Sequence, residues 1–161
     1  VDTGVYLYMN QVFHVTASSR VSSIKSEGIR PSDSGSWRQK RKELRGVIDD
    51  YANENTDDWT LRVNATFFWT TIEDAMEFIH DISEYGDNVV ILTVELTDSD
   101  IWVAESEFME DIYHTWMDDK EIEDLLGDLS KHVEKWDGSS CTGYELWTQE
   151  NITSDQIVSI D

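Results

Sequence analysis

The sequence predicts an α+β domain, and three observations support that prediction. Segments rich in β-branched and aromatic residues are separated by segments in which apolar residues recur at helical spacing. The two kinds of segment do not alternate strictly, as they would in a doubly wound parallel sheet. The chain has 161 residues, 39% of them hydrophobic, which suffices for a single domain with one core over residues 1–161.

The chain begins with a predicted strand and a short helix. Residues 5–16 are rich in Val, Tyr and Phe and predict one or two strands. A helix then begins at Ser18 or Ser19. Gly28 is predicted as its C′ residue, and Pro31 lies just beyond, which is a common way for a helix to end.

Two further helices flank a second predicted strand. Residues 37–52 predict a helix with a basic face and an apolar stripe formed by Leu44, Val47, Ile48 and Tyr51. Residues 62–69 are typical of a strand. A helix then begins near Thr71, whose side chain would cap it with Asp74 three residues on.

The second half of the chain predicts further strands and a long stretch of helices, with Gly127 as a weak point in it. Residues 88–96 form an apolar run typical of a central strand that is buried on both faces. Residues 107–136 are strongly helical in pattern. Residues 143–147 and 157–160 predict the last two strands.

The net charge of −22 comes from 34 acidic and 12 basic residues, and it is unevenly distributed. Residues 1–62 hold nine of each kind, so the whole excess of acid lies in residues 63–161. Such a charge repels itself in dilute buffer, whereas at molar salt the Debye length falls to about 3 Å and screens most of the repulsion. The composition therefore favours adaptation to the salty cytoplasm of a halophile. A cation-binding or nucleic-acid-mimicking surface is the alternative.

Several other classes of protein are disfavoured. Cys141 is the only cysteine, so no intramolecular disulfide can form, and nothing near it indicates a nucleophile. The N-terminal segment lacks the pattern of a signal peptide, and no stretch approaches the roughly 20 apolar residues that a membrane helix needs. The histidines are scattered without ligand spacing, so no metal site is predicted. We expect a cytoplasmic protein with no membrane contact.

Three separated segments form a longer pattern. The first has a strand and the end of the following helix, with Phe13, His14, Val15, Thr16 and then Glu27, Gly28, Ile29, Arg30, Pro31. The second has an aromatic strand before a helix, with Phe67, Phe68, Trp69 and then Glu73, Asp74, Ala75. The third has a strand carboxylate before a polar turn, with Glu145 and then Asp155, Gln156, Ile157. In this order they resemble the ADP-ribosyltransferase fold, the group of poly-ADP-ribose polymerases, diphtheria-type toxins and tRNA 2′-phosphotransferases.

The resemblance runs over nearly the whole chain and implies a split β-sheet, antiparallel or mixed, with flanking helices. It implies NAD as substrate and cleavage of the nicotinamide–ribose bond through an oxocarbenium-like transition state. Glu145 would hold the ribose and stabilise the developing positive charge, an electrostatic role. His14 would bind the adenosine ribose, and Thr16 would belong to the same cofactor site.

The resemblance also implies an aromatic ring that stacks on nicotinamide. Phe67 or Phe68 occupies that place, and strand alternation puts the two on opposite faces, so only one can act. Arg30, together with the arginines of the helix predicted over 37–52, would meet the pyrophosphate or an anionic acceptor.

Each of these residues also has a purely structural interpretation. His14 fits a satisfied core or edge histidine, and Glu145 fits a solvent-facing strand residue. Phe67 and Phe68 fit the core on hydrophobic pattern alone, and a basic helix face is commonly a solvated one. Val15 stands where the family has Gly, and the stacking position holds Phe instead of Tyr or His, which leaves open a protein that keeps the fold without catalysis.

The leading hypothesis is an NAD-binding protein that transfers ADP-ribose to a protein or nucleic acid. The first rival is an inactive binding or structural protein on the same fold, for example in a virion or a mobile element. The second is an acidic inhibitor that mimics nucleic acid through the acid-rich helices after Glu105, which requires carboxylates spaced like phosphates along one face. His14 and Glu145 far apart, or on opposite faces of the sheet, would contradict the enzyme hypothesis.

Overall fold

The computed structural model describes residues 10–30, 39–56, 58–82, 88–96, 100–139 and 142–160. These residues form the strands β1 (Gln11–Ala17), β2 (Thr66–Trp69), β3 (Val89–Glu95), β4 (Trp102–Glu105), β5 (Val133–Lys135), β6 (Tyr144–Thr148) and β7 (Ile157–Ile160). They also form the helices α1 (Val21–Glu27), α2 (Gln39–Asn55), α3 (Ile72–Ile82), α4 (Ser106–Met117), α5 (Glu123–Leu126) and α6 (Leu129–His132), with 3₁₀ turns at Ser18–Arg20 and Ser154–Gln156. None of the helices in these ranges combines the length and apolarity that a membrane crossing requires.

Three sequence predictions fall outside the described residues. They are the strand residues before position 10, the start of the helix predicted from residue 37, and the environment of Cys141.

The strands form one sheet in the order β5-β4-β6-β2-β1-β3-β7, and every neighbouring pair is antiparallel. β1 pairs with β3 along its whole length but with β2 only where Phe13 faces Trp69. The sheet therefore has two halves, β5-β4-β6-β2 and β1-β3-β7, that meet at a narrow seam. The predicted α+β class and the split antiparallel sheet are confirmed.

The strand register defines the two faces of the sheet. Trp69 lies opposite both Phe13 and Glu145, and Phe67 lies opposite Trp147, so these side chains share one face, here called the Glu145 face. The other face, here called the His14 face, carries His14 together with Phe68 and Leu146. Because side chains alternate along a strand, neighbours in sequence belong to different faces.

A separate hydrophobic core covers each face. On the Glu145 face, α2 and α4 pack on Trp102 and Trp147 through side chains that include Leu44, Ile48, Phe108 and Ile112. On the His14 face, Ile24 of α1 packs with Ile29 and Ile152 against strand residues that include Val12, Phe68 and Leu92. Burial of two apolar layers against one sheet is the main stabilising term of such a fold.

The predicted start of α3 is confirmed. The Asp74 N–H donates to Thr71 Oγ1 at 3.3 Å, and the helix begins at Ile72 with Glu73 and Asp74 in its first turn. Carboxylates there complement the unpaired N–H groups and the positive end of the helix dipole. Phe78 then stacks on Trp69, with centroids 4.3 Å apart, which fixes α3 over the Glu145 face.

The helices predicted over 107–136 are confirmed in part, by α4, α5 and α6, but the prediction was wrong for residues 133–135, which form a strand. α4 ends at Met117, and Asp119 has a φ of +57°, which an α-helix cannot continue. Two short helices follow, and after His132 the chain becomes strand β5, where Val133 pairs with Ala104. The helical spacing was outweighed there by strand pairing with β4, a strand that the sequence pattern did not predict.

Three smaller predictions need correction. Residues 62–65 form a turn instead of a strand, closed by a hydrogen bond from Ala65 N–H to the Arg62 carbonyl. β3 has inner positions buried on both faces, as predicted, but it lies one strand from the sheet edge. On α2, Val47 is 40% exposed while Asp49, an acid among apolar neighbours, is only 3% exposed.

Gly28 provides a test of the packing of α1. Its φ of +78° confirms the predicted helix end, and a Cβ there would lie 2.0 Å from the backbone oxygen of Ile152. We expect Gly28→Ala to lower the free energy of unfolding by at least about 2 kcal/mol, measured by urea denaturation.

Gly46→Ala is the matched control. Its Cβ would lie 3.9 Å from Val63, an ordinary contact, and alanine favours the helix interior. The free energy of unfolding should hold or rise by up to about 1 kcal/mol. Equal losses of unfolding free energy from the two substitutions would contradict a steric clash between a side chain at position 28 and the backbone of Ile152.

Candidate active site

A cavity of about 460 Å³ opens on the Glu145 face between α2, α3 and α4. Its floor is formed by Phe67 and Trp69 of β2 and by Glu145 of β6. Pockets of roughly 300–1,000 Å³ with a few convergent polar groups are typical binding sites for small molecules. This cavity, here called the cleft, combines aromatic, cationic and anionic side chains.

Glu145 forms a buried ion pair at the base of the cleft. Its Oε2 accepts a hydrogen bond from Arg62 Nη2 at 2.7 Å. The side chains of Arg62 and Glu145 are 6% and 16% exposed, so water screens the pair only weakly. The arrangement fixes the carboxylate, and Oε1 takes no part in this ion pair.

Arg62 is held in place by Asp49 of α2. The buried Asp49 carboxylate accepts hydrogen bonds from the backbone N–H of Arg62 at 2.8 and 3.0 Å and from that of Val63 at 2.9 Å. It also accepts one from Trp59 Nε1 at 2.9 Å. These bonds attach the turn before β2 to α2. The position of that turn directs the Arg62 side chain at Glu145.

The Arg62 guanidinium lies among aromatic rings. Its Cζ is 4.3 Å from the Trp147 ring centroid and 5.0 Å from that of Phe67. Two of its donors, Nε and Nη1, are buried and have no hydrogen-bond partner in the described structure. Buried donors without a partner are costly in a native protein, so these two N–H groups are available to an acceptor that enters the cleft, whether a ligand or a water molecule.

Two more arginines reach the cleft from α2. Arg45 Cζ lies 4.1 Å from the centroid of Phe67. Arg41 Cζ lies 3.8 Å from the centroid of Tyr113, and its Nη2 bonds Glu110 at 3.0 Å. Stacking on rings orients planar guanidinium groups before any ligand arrives. The basic face predicted for this helix is therefore partly directed at the cleft.

Carboxylates line the cleft from the opposite helices. Asp74 and Glu77 come from α3, and Glu107 and Glu110 come from α4. The arginines therefore come from α2 and the turn before β2, and the acids come from α3, α4 and β6, with Arg41–Glu110 and Arg62–Glu145 paired across the cleft. Among the described residues, no His, Cys, Asp or Glu side chains gather in a group of three or more that could hold a metal ion.

Asp74 also fixes the start of β6. Its Oδ2 accepts a hydrogen bond from Gly143 N–H at 2.8 Å, while the Gly143 carbonyl accepts one from Ser106 N–H at 2.8 Å. Gly143 has a φ of +93°, which favours glycine. Both bonds lie two residues before Glu145, so α3 and α4 together set the position of that carboxylate.

His14 joins the two half-sheets at the seam. Its Nδ1 lies 2.7 Å from the carbonyl oxygen of Phe67, which can only accept, so Nδ1 carries the proton. The bond replaces strand pairing just where the β1–β2 ladder ends. Burial lowers the pKa of His14, the bond to Phe67 opposes that shift, and the charge of Arg20 lowers the pKa further.

The structure separates the predicted site residues into two groups. Glu145 and Phe67 lie together in the cleft. His14, Thr16 and Phe68 belong to the His14 face, and Phe68 is fully buried beside the His14 ring at a centroid distance of 5.5 Å. Of the two phenylalanines, Phe67 therefore faces the cleft.

Arg30 and His14 both lie away from the cleft. Arg30 is exposed in the segment after α1 and does not line the cleft. His14 lies two strands from Glu145, about 10 Å by strand spacing, but on the opposite face. By the criterion stated above, this arrangement contradicts the enzyme hypothesis in which His14 and Glu145 act in one site, and any catalytic role must rest on the cleft alone.

Arg62 and Asp49 were not predicted from the sequence as site residues. Arg62 is the only basic residue between Arg45 and Lys120 in an acidic chain, and it stands just before an aromatic strand. That isolation was a usable signal. Asp49 lies beside the apolar stripe of α2 and not on it, so the helical pattern gave no sign that this acid is buried.

The acid-rich region after Glu105 is not one continuous helix. It is divided among α4, α5 and α6, with turns between them. Mimicry of a phosphate backbone requires carboxylates in a single regular row, so it would need these three helices to align their acids.

The pH dependence of stability tests the burial of His14. Because its folded-state pKa lies below the ordinary value of 6.5, the unfolded chain binds a proton that the folded protein does not. Relative to His14→Asn, which keeps a donor for Phe67, the wild type should lose stability as pH falls below about 6.5, by up to about 1.4 kcal/mol per pH unit. Parallel stability curves for the two proteins would show that His14 titrates normally.

The Arg62–Glu145 pair predicts a non-additive mutant cycle. Glu145→Ala leaves a buried guanidinium without its anion and should cost about 3 kcal/mol of unfolding free energy. Adding Arg62→Met removes the uncompensated charge but keeps an apolar stem against Trp147, so the double variant should be more stable than Glu145→Ala alone. Losses that simply add in urea denaturation would contradict a coupled pair.

Comparison with known proteins gives a distant likeness of fold. The chain matches no protein family, and no curated protein matches it in sequence. Among solved structures it is similar to Thermosipho africanus DarTG in complex with ADP-ribose, with a TM-score of 0.46 and 12% identity. The match covers 93% of this chain and 43% of that one, so this chain spans less than half the length of the protein it resembles.

Proposed function

We propose that the protein binds NAD in the cleft and transfers its ADP-ribose to an acceptor, with Glu145 as the catalytic carboxylate. One observation carries this proposal. A fixed carboxylate, an aromatic ring and three arginines, Arg41, Arg45 and Arg62, converge on one cavity. The proposal does not require His14 to touch the ligand, since His14 has a structural role at the seam.

The charge pattern of the cleft suits NAD better than a simple anion. NAD carries an anionic pyrophosphate and a cationic pyridinium ring in one molecule. The arginines from α2 would face the pyrophosphate, where planar guanidinium groups bind phosphate oxygens well. The carboxylates of α3 and α4 would face the pyridinium end of the ligand.

The chemistry needs little more than electrostatic stabilisation. The nicotinamide–ribose bond breaks with its electron pair passing to the ring nitrogen, so neutral nicotinamide leaves and positive charge develops on the ribose. Glu145, already oriented by Arg62, would lie against that charge, and a preorganised anion contributes most when it need not rearrange. The acceptor then forms a bond to the anomeric carbon and releases a proton to solvent or to a nearby base.

A second candidate function is binding without transfer. It is favoured by the ion pair itself, because Arg62 compensates the Glu145 charge that an oxocarbenium ion would otherwise use. The separation of His14 from Glu145 also fits this candidate. Under this alternative the cleft would hold NAD or another ADP-ribose-bearing ligand intact.

Nicotinamide release separates the two candidates. The protein is incubated with NAD at molar KCl, with and without basic protein and nucleic acid as acceptors, and free nicotinamide is measured by chromatography. Wild type should release nicotinamide, and Glu145→Gln should release it about 100- to 1,000-fold more slowly. Glu145→Gln is preferred to Ala because its amide oxygen can still accept from Arg62.

Calorimetric titration of NAD into both proteins is the companion measurement. NAD binding by both without release by wild type would support the second candidate. No binding and no release would exclude both.

A further inference from the structure

Arg45 covers a ring that a planar ligand would use. Its guanidinium carbon is 4.1 Å from the centroid of Phe67, inside the cleft. Phe67 itself packs on Trp147, with centroids 6.4 Å apart and an interplanar angle of 29°. The aromatic floor of the cleft is therefore already occupied by a planar cation that belongs to the protein.

A guanidinium group and a pyridinium ring share the properties that favour binding on an aromatic ring. Both are flat, delocalised and weakly hydrated cations, and both are attracted to the electron-rich face of an aromatic ring. We propose that the Phe67 face is a subsite for planar cationic rings and that Arg45 is its resident occupant, which a ligand must displace. This inference deepens the proposed function, since the pyridinium of NAD belongs to that class, but it does not depend on transfer.

Carboxylates that line the cleft could pair with the Arg45 side chain once a ligand has displaced it from Phe67. Glu77, Glu107 and Glu110 line the same cavity, so a guanidinium that leaves Phe67 stays among carboxylates. A phosphate group on the incoming ligand would add a further partner. When a planar cationic ligand displaces Arg45, the positive charge over the Phe67 ring is preserved. A neutral ring that displaces Arg45 would leave the Phe67 face without the positive charge of Arg45.

Arg41 provides the matched comparison on the same helix. It lines the same cleft and carries the same charge, but it lies over Tyr113 and pairs with Glu110. Removing Arg41 changes the net charge of the cleft as much as removing Arg45 does. Only the removal of Arg45 takes away the guanidinium nearest to Phe67, while the Arg62 guanidinium, 5.0 Å from the same ring centroid, stays in both variants.

The test uses 1-methylnicotinamide, a planar cation, and nicotinamide, its neutral relative. Binding to wild type, Arg45→Ala and Arg41→Ala is measured by calorimetry or tryptophan fluorescence at molar KCl, where long-range charge effects are screened. Arg45→Ala should bind 1-methylnicotinamide about three- to tenfold more tightly than wild type, the range expected when a cation–π competitor is removed. Arg41→Ala should change the affinity less than twofold, and nicotinamide should gain less than 1-methylnicotinamide in Arg45→Ala.

Ethylguanidinium is the second probe. It should compete with 1-methylnicotinamide in Arg45→Ala, because it restores the missing occupant, and Phe67→Leu added to Arg45→Ala should abolish the gain. Arg45→Met, which keeps the apolar stem, replaces Arg45→Ala if circular dichroism shows that the alanine variant is unfolded.

Two results would overturn the inference. One is no tightening in Arg45→Ala or Arg45→Met, and the other is equal tightening in Arg41→Ala. A tightening specific to Arg45 in a protein that neither binds NAD nor releases nicotinamide would support the subsite and remove the proposed function, so the two failures remain distinct.

Discussion

The cleft depends on the burial of one guanidinium. Arg62 is held at its backbone by Asp49, covered by Trp147 and paired with Glu145. Asp49 belongs to α2, whereas Trp147 and Glu145 both belong to β6, so the ion pair forms only when α2, the turn before β2 and strand β6 are all in place. A buried cation is tolerated only where its surroundings are fixed, which makes the base of this cleft rigid and its carboxylate preoriented.

The narrow seam of the sheet explains why the candidate residues divide into two groups. Where β1 and β2 separate, the His14 side chain takes over the link by bonding the Phe67 carbonyl. The same residue, Phe67, directs its ring into the cleft. His14 therefore acts on the cleft through the backbone of β2, as a residue that positions the aromatic floor from the other face.

Most of the helices and strands could be predicted from the sequence, but the candidate site could be predicted only in part. Alternation was enough to establish that Phe67 and Phe68 face opposite sides, but which side held the cleft depended on how α2, α3 and α4 pack. β4 and β5 escaped prediction because each is short and defined by its partner, as Val133 against Ala104 illustrates. Arg62 was missed because its role arises from contacts with Asp49 and Glu145, which lie 13 and 83 positions away in sequence.

The acidity of the chain and the design of the cleft are connected through screening. If the protein works in molar salt, as its composition predicts, charges beyond about 3 Å of each other barely interact, and an anionic ligand is not steered from a distance. Recognition must then come from groups that are desolvated and oriented in advance. Arg62 meets that requirement, since it is 6% exposed and lies against Trp147, and Arg41 is oriented in advance by the ring of Tyr113. The excess of surface acid can thus coexist with the proposed binding of an anionic ligand in the cleft, since salt screens the long-range repulsion and leaves the short-range contacts intact.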